Sequence, residues 1–210
     1  MHSPWHFKLV LIQTLAAGRR FTAASDFKCI VNSGMRTDEA RARNIQFEEI
    51  AATASATTRA QAQELLLEYD RFVIAQPGAA RFCFGALEKE AERLPQSYAE
   101  QGGGCLMALV DGTPAGFVAW RILPGAATAD FWELKRLWVR PMARGLGLGR
   151  ALTQAVIDRA HDAGCTAVYL DTAPAAMAAA HRMYLELGFT PCAAYNDNPV
   201  EGIVHLVKEL

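Results

Sequence analysis

No stretch of this chain approaches the roughly 18 to 20 consecutive apolar residues that a membrane span requires, so no membrane partner is expected. Net charge is almost absent: 21 Lys and Arg face 22 Asp and Glu, leaving −1. Gripping a phosphate backbone takes an excess of cations on one face, so nucleic acid is not an expected partner either. Cysteine is sparse. Cys29, Cys83, Cys105, Cys165 and Cys192 are odd in number, include no Cys-x-x-Cys pair and have no His at zinc-ligand spacing. That pattern argues against a disulfide framework and against a bound metal, and it fits reduced thiols in a cytoplasmic protein. The histidines form no His-x-x-x-His pair and Gly-x-Ser-x-Gly is missing, so hydrolase readings lose their usual signatures.

What remains is an ordinary globular composition, 51% hydrophobic and 20% charged, with enough chain for one well-buried domain or one domain with an appendage. The N-terminal part has no sustained period. Over residues 7–20, FKLVLIQTLAAGRR faintly resembles a secretory signal, but Gln13 and Thr14 interrupt the apolar run and Arg19 and Arg20 follow it. Residues 1–44 are read as an N-terminal extension, disordered or loosely docked, and residues 45–210 as the domain.

Within the domain, NIQFEEI predicts a first strand. Thr58 and Gln61 have capping-box spacing, and Ala62, Leu65, Leu66, Tyr69 and Val73 then recur at helical intervals. A shorter helix is expected over residues 86–94, stopped by Pro95. CLMALV and AGFVAWRIL flank Asp111-Gly112-Thr113-Pro114, which predicts an antiparallel hairpin. FWELKRLWV reads as another strand, residues 147–163 as a helix with Leu148, Leu152, Ala155, Val156 and Ala163 on one face, and residues 167–170 as a strand. Pro174 is expected to open a further helix ending at Leu187-Gly188-Phe189, and strands over residues 190–195 and 203–210 close the chain. The expectation is a mixed α/β fold with helices on the faces of one sheet.

Between FWELKRLWV and the following helix lies VRPMARGLGLGRAL, with Gly145, Gly147 and Gly149 at alternate positions. Glycines there let the backbone turn tightly and let a ligand approach the main chain. At a helix N-terminus they leave unpaired N–H groups pointing outward with the positive end of the dipole behind them, which suits a pyrophosphate. Arg144 and Arg150 flank the stretch as candidate phosphate partners. A P-loop is excluded because no Lys follows the glycines, and the dinucleotide fingerprint fails at Arg150 in one register and at Leu152 in the other.

Arg144-x-x-Gly147-x-Gly149, after one strand and before one helix, resembles the acetyl-CoA pyrophosphate signature of the GNAT acetyltransferase superfamily. Leu170-Asp171-Thr172 followed by AAAHRMYLELGF resembles that superfamily's second motif, a strand and then a helix bearing a Tyr shortly before Gly-Phe. The resemblance covers about residues 45–210. It implies a mixed, mostly antiparallel central sheet with a splayed parallel strand pair, flanked by about four helices. It also implies acetyl-CoA as co-substrate, lying in a gap between the two splayed strands against main-chain groups of Leu137, Trp138 and Val139 and on the loop of Arg144, Gly145, Leu146, Gly147, Leu148, Gly149 and Arg150. One departure is Met177, where many members carry Asn seven residues before the Tyr.

The reaction so implied is N-acetylation of a primary amine on a small molecule or peptide. It calls for a neutral amine, a polarised carbonyl and a stabilised leaving thiolate. Tyr184, sharing a helix face with Met177, Ala180 and Leu187, is the candidate acid for the thiolate. Glu133, which strand alternation sets on the face of Lys135 and Leu137, is the candidate base if no bulge intervenes; an ion pair with Lys135 or another strand is the competing role. Carbonyl polarisation falls to a backbone N–H near Leu137. Tyr69, Tyr98, Tyr195, Asn196 and Asn198 are candidate acceptor-site residues. The competing function is a catalytically silent acyl-CoA binder, which needs the glycine cradle and not the acid. The resemblance also suggests a homodimer paired through C-terminal strands.

Overall fold

The computed structural model describes residues 27–29, 43–76, 86–126 and 128–210. In chain order these form β1 (Phe27–Cys29), β2 (Ile45–Glu49), α1 (Ala56–Ile74), α2 (Ala86–Glu92), α3 (Gln96–Ala99), β3 (Gly104–Val110), β4 (Thr113–Ile122), β5 (Phe131–Val139), α4 (Leu148–Asp162), β6 (Ala167–Thr172), α5 (Ala178–Glu186), β7 (Thr190–Pro191) and β8 (Val204–Glu209). The strands make one sheet in the order β1-β2-β3-β4-β5-β6-β8-β7. Its neighbours are antiparallel except β5 and β6. β1 lies inside the stretch expected to be an appendage and pairs with β2; the signal-like run of residues 7–20 lies outside the described residues.

Local chemistry accounts for the main elements. Asp111 and Gly112 both take positive φ, 51° and 78°, the combination that closes a two-residue hairpin with the twist of its strands. α1 starts ahead of the expected box, because the Ser55 side chain accepts the Thr58 N–H at 3.0 Å and so caps the helix itself. α5 ends as expected in a Gly cap: Gly188 has φ 87°, the Phe189 N–H bonds the Tyr184 carbonyl, and the Phe189 ring packs edge-on against Tyr184 at 5.7 Å.

Two expected spans are shorter. Pro174 does not open α5; residues 173–176 form a turn, and the helix begins only after Met177, whose φ of −127° is not helical and which offers no capping side chain. The strand expected over residues 190–195 stops at Pro191. Asn196 Oδ1 accepts the Asn198 N–H and Asn198 Oδ1 accepts the Val200 N–H, so the chain follows side-chain-bonded turns instead of a ladder.

The sheet carries one core on each face. On one side α4 buries Leu148, Leu152, Val156 and Ile157 against Leu106, Val118, Leu134 and Leu170; Ala163, expected on that face, is exposed at the helix end. On the other, Leu65 and Leu66 of α1 pack with Leu94, Tyr98, Met107, Phe117 and Trp138. β5 and β6 pair only from Phe131–Glu133 to Ala167–Tyr169, and beyond Glu133 they separate. That separation is the splayed pair.

Candidate active site

The parting strands enclose a narrow cavity of about 40 Å³, lined by Tyr69 of α1, Lys135, Arg136 and Leu137 of β5, Asp171 of β6 and Tyr184 of α5, among others. Met177 and Ala180 line it too, so the helix face expected to carry Tyr184 to the gap does so. Tyr184 is only 5% exposed. No described residue hydrogen-bonds its hydroxyl, whose oxygen keeps some contact with solvent. Burial, with the negative charge of Asp171 adding to it, raises the phenol above its ordinary value, which keeps its proton in place at neutral pH.

Opposite Tyr184 the edge of β5 is irregular. Arg136 has φ 60°, in a left-handed region that a bulky residue rarely enters, and the register with β4 slips by one residue between Phe117 and Ala119. This is a β-bulge. Arg136 is anchored by a bidentate pair with Glu90 of α2, Nε to Oε1 at 3.0 Å and Nη2 to Oε2 at 2.9 Å, and Glu90 also accepts the Tyr98 hydroxyl. Burial would raise the Glu90 carboxyl, but its bonds to Arg136 and Tyr98 and the positive charges of Arg136 and Lys135 outweigh that and hold it below the ordinary value.

The bulge corrects the expectation for Glu133. Strand alternation predicts one face for Glu133, Lys135 and Leu137, yet Leu137 packs into the core on the α4 side while the register leaves Glu133 opposite Arg121 and Lys135 opposite Ala119 of the other core. Glu133 is 1% exposed and fully engaged: Arg121 Nε donates at 2.6 Å, Lys135 Nζ at 3.0 Å and the Tyr195 hydroxyl at 3.3 Å. It has the ion-pair role and does not line the cavity.

The glycine loop follows β5, the strand whose residues 134–137 line the cavity. Gly145 and Gly147 take φ 82° and 76°, and a Cβ built on either meets no heavy atom within 4 Å, so both face open space. A Cβ on Gly149 would lie 3.5 Å from Met183 Sδ and 3.9 Å from Val139 Cγ2, which ties the start of α4 to the end of β5 and to α5. Ala151 N–H, bonded to Gly147 O, is the first amide of α4 with a helical partner. The amides of Leu148, Gly149 and Arg150 therefore have none within the helix. Together these features leave room and free amides for a phosphate group. The two arginines are less free than the sequence suggests. Arg150 pairs with Glu186, and Arg144 donates to Val139 O at 3.2 Å with its guanidinium over the Trp138 ring. Trp138 points to the α1 face, its indole N–H on Glu68 at 3.0 Å, so only its main chain faces the neighbouring strand.

Of the candidate acceptor residues, Tyr69 lines the cavity. Tyr98 is a buried support for Glu90, and the half-buried Tyr195 donates to Glu133. Asn196 and Asn198 both donate to Asp171 Oδ2, at 2.8 and 3.1 Å. Asp171 and Arg136 are the cavity residues that sequence reasoning passed over. A charged side chain in the apolar run AVYLDT was the available signal for Asp171; none exists for a left-handed Arg in a strand. Among the described residues no three His, Cys, Asp or Glu side chains group as a metal site, and no helix is long and apolar enough to cross a membrane.

Comparisons with known proteins agree with this geometry. The model of the Acetyltransferase (GNAT) family matches residues 78–189. An uncharacterized N-acetyltransferase of Schizosaccharomyces pombe is 34% identical over 99 residues, 47% of this chain and 58% of that protein. The N-acetylaspartate synthetase of Xenopus tropicalis is 31% identical over 125 residues, 59% of this chain and 45% of that one. The chain thus spans about half the length of the curated relatives it matches. Among solved structures, yncA of Salmonella typhimurium, with its cofactor acetyl-CoA, superposes with TM-score 0.60 at 17% identity over 79% of this chain and 94% of that chain.

Proposed function

This chain belongs to the GNAT family of acetyltransferases, and from that premise we propose that it transfers acetyl directly from acetyl-CoA to the primary amine of a small molecule or peptide. The observation that carries the reading is the largely buried Tyr184, whose hydroxyl no described residue engages, in the cavity between the parted strands, with the glycine loop following β5. The names of the relatives support it, one an N-acetyltransferase and one an N-acetylaspartate synthetase, as does the acetyl-CoA of the Salmonella neighbour.

Acetyl-CoA supplies the acetyl group as an activated thioester. The free amides of Leu148, Gly149 and Arg150, with the dipole of α4 behind them, hold phosphate oxygens, and Gly145 and Gly147 keep side chains out of the way. Main-chain groups of Leu137 and Val139 line up the arm, and the Leu137 N–H beside the bulge polarises the carbonyl. Tyr184 donates its proton to the departing thiolate. An alkylamine of pKa near 10.4 is neutral in only about one molecule in a few thousand at pH 7, so the amine must shed a proton on arrival. Glu133 is left out of that path because cations already hold both its oxygens. A cytoplasmic setting belongs to the same reading; its support is the free thiols of Cys105, Cys165 and Cys192.

The test is thiol release from acetyl-CoA across a panel of amines. Tyr184→Phe is expected to slow turnover by about 10- to 1000-fold with acetyl-CoA affinity nearly unchanged, the pattern of a contact made in the transition state. An unchanged rate removes Tyr184 from the mechanism. Tight acetyl-CoA binding with no thiol release for any amine would instead favour a silent acyl-CoA binder.

A further inference from the structure

Asp171 stands near the C-terminal end of β6, where that strand has already left β5. Its two oxygens are treated differently. Oδ2 receives the side-chain amides of both Asn196 and Asn198, while no described residue donates to Oδ1. The orientation of those amides is fixed by what their oxygens do: Asn196 Oδ1 takes the Asn198 N–H and lies 3.0 Å from His205 Nε2, and Asn198 Oδ1 takes the Val200 N–H. With both acceptor ends occupied, both donor ends are left for Asp171. The loop between β7 and β8 is thus built to hold one carboxylate still with one oxygen turned loose, and that carboxylate lines the same cavity as the unpartnered Tyr184 hydroxyl. Lys135 on the same wall supplies charge but no hydrogen bond to Asp171, so Oδ1 keeps an open acceptor site.

We propose that Asp171 is the group that receives the acceptor, its Oδ1 binding the incoming primary ammonium, and that Lys135 and Arg136 on the same cavity wall restrict that amine to molecules whose remainder is neutral or anionic. The assignment rests on the transfer reading above. Amino acids satisfy it; diamines and polyamines bring a second positive charge against two cations that line the cavity while their counter-ions, Glu133 and Glu90, do not. Among the described residues Lys135 Nζ bonds Glu133 alone and so keeps N–H groups for an anionic tail, while Arg136, held by Glu90 and flanked by Tyr69 and Tyr98, contributes its charge.

Asp171 acts as an anchor and not as the base. Burial would raise its carboxyl, but the Lys135 charge, the two amides and His205 outweigh burial and hold it below the ordinary value. A carboxylate more than about six pKa units more acidic than an alkylammonium does not take its proton efficiently. The proton goes to water. The freed amine then attacks, the C–N bond forms as C–S breaks, the thiolate takes the Tyr184 proton, and the second nitrogen proton restores the phenol.

Steady-state kinetics of the full chain test this, with aspartate and glycine as amino acids, ethylamine as a plain amine and spermidine as a polyamine. The expected order of kcat/KM is amino acids above ethylamine above spermidine. Asp171→Asn is expected to raise the amine KM by about 10- to 100-fold, with kcat and acetyl-CoA Kd changed less than about threefold. Should that variant not fold, Asn198→Ala keeps the carboxylate and loosens it, and a rise of about 3- to 10-fold in amine KM is expected. An unchanged KM in either folded variant overturns the assignment, as does a fall in kcat alone or a preference for spermidine. Wild-type protein that releases no thiol with any amine overturns the transfer reading itself.

Discussion

At Arg136 the usual ranking of alanine over glycine is expected to reverse. In a strand, Gly is less stable than Ala by about 0.5–1 kcal/mol because its unfolded chain is freer. Arg136, however, has φ 60°, where a residue with a Cβ is strained by roughly 1–2 kcal/mol and Gly is not. Arg136→Ala and Arg136→Gly both lose the bidentate pair with Glu90, so that contribution cancels between them. What is left is the difference between strain and chain entropy, which favours Gly by about 0.5–1 kcal/mol. Urea unfolding at pH 7 measures this directly, through the midpoint at constant slope. The activity should follow: because the proposed carbonyl donor, the Leu137 N–H, is next to the bulge, Arg136→Gly should keep more thiol-release activity than Arg136→Ala. If the Ala variant is as stable as the Gly variant or more so, β5 runs straight in solution, and the proposed carbonyl donor loses its support.

Two other expectations follow from the same geometry. Gly147→Val should abolish acetyl-CoA binding, at least about 100-fold, because its side chain would stand in the open mouth of the loop. Gly112→Val carries the same strain at φ 78°, with equal room around its Cβ, but in the β3–β4 turn. Both should lose about 1–2 kcal/mol of stability by urea unfolding, and only the first should lose binding; equal binding in the two variants would refute the cradle. Acid should weaken the fold in a defined window. Glu68, Glu90 and Asp171 all ionise more readily folded than unfolded, with bonds and charges from Arg140, Arg136 and Lys135 respectively outweighing burial. Their contribution is complete above the ordinary carboxylate range and drains as pH falls through about 4 and below. Asp70, raised by burial and by Glu88, works the other way and offsets part of the loss. Stability that stays level from pH 7 to pH 3 would contradict these pairings.

Features that depend on neighbours in sequence were legible, and features that depend on distant partners were not. The Asp111-Gly112 turn, the glycine loop and the Gly188 cap all need positive φ, and glycine advertises it. The helix carrying Tyr184 showed its face through spacing alone. α3 escaped notice because four residues behind Pro95 leave no period to detect. The sequence leaves Glu133 between base and ion-pair partner because a bulge held by Glu90, 46 positions from Arg136, turns Leu137 to the opposite face. Asp171 went unweighed for a similar reason: the amides that hold it lie 25 and 27 positions further on, in a segment whose Asn residues read equally well as surface. Ser55 and Thr58 illustrate a smaller ambiguity. Both are good caps, and the choice between them is made by the extended backbone of Ser55.

Calorimetric titration of the purified protein with acetyl-CoA, CoA and NAD tests the central claim most directly. Binding of acetyl-CoA and CoA in the micromolar range, with none for NAD, is the predicted result. A folded protein that binds neither CoA species would contradict the account, leaving the loop of Gly145 and Gly147 as a turn without a ligand and the cleft beside Tyr184 without a donor.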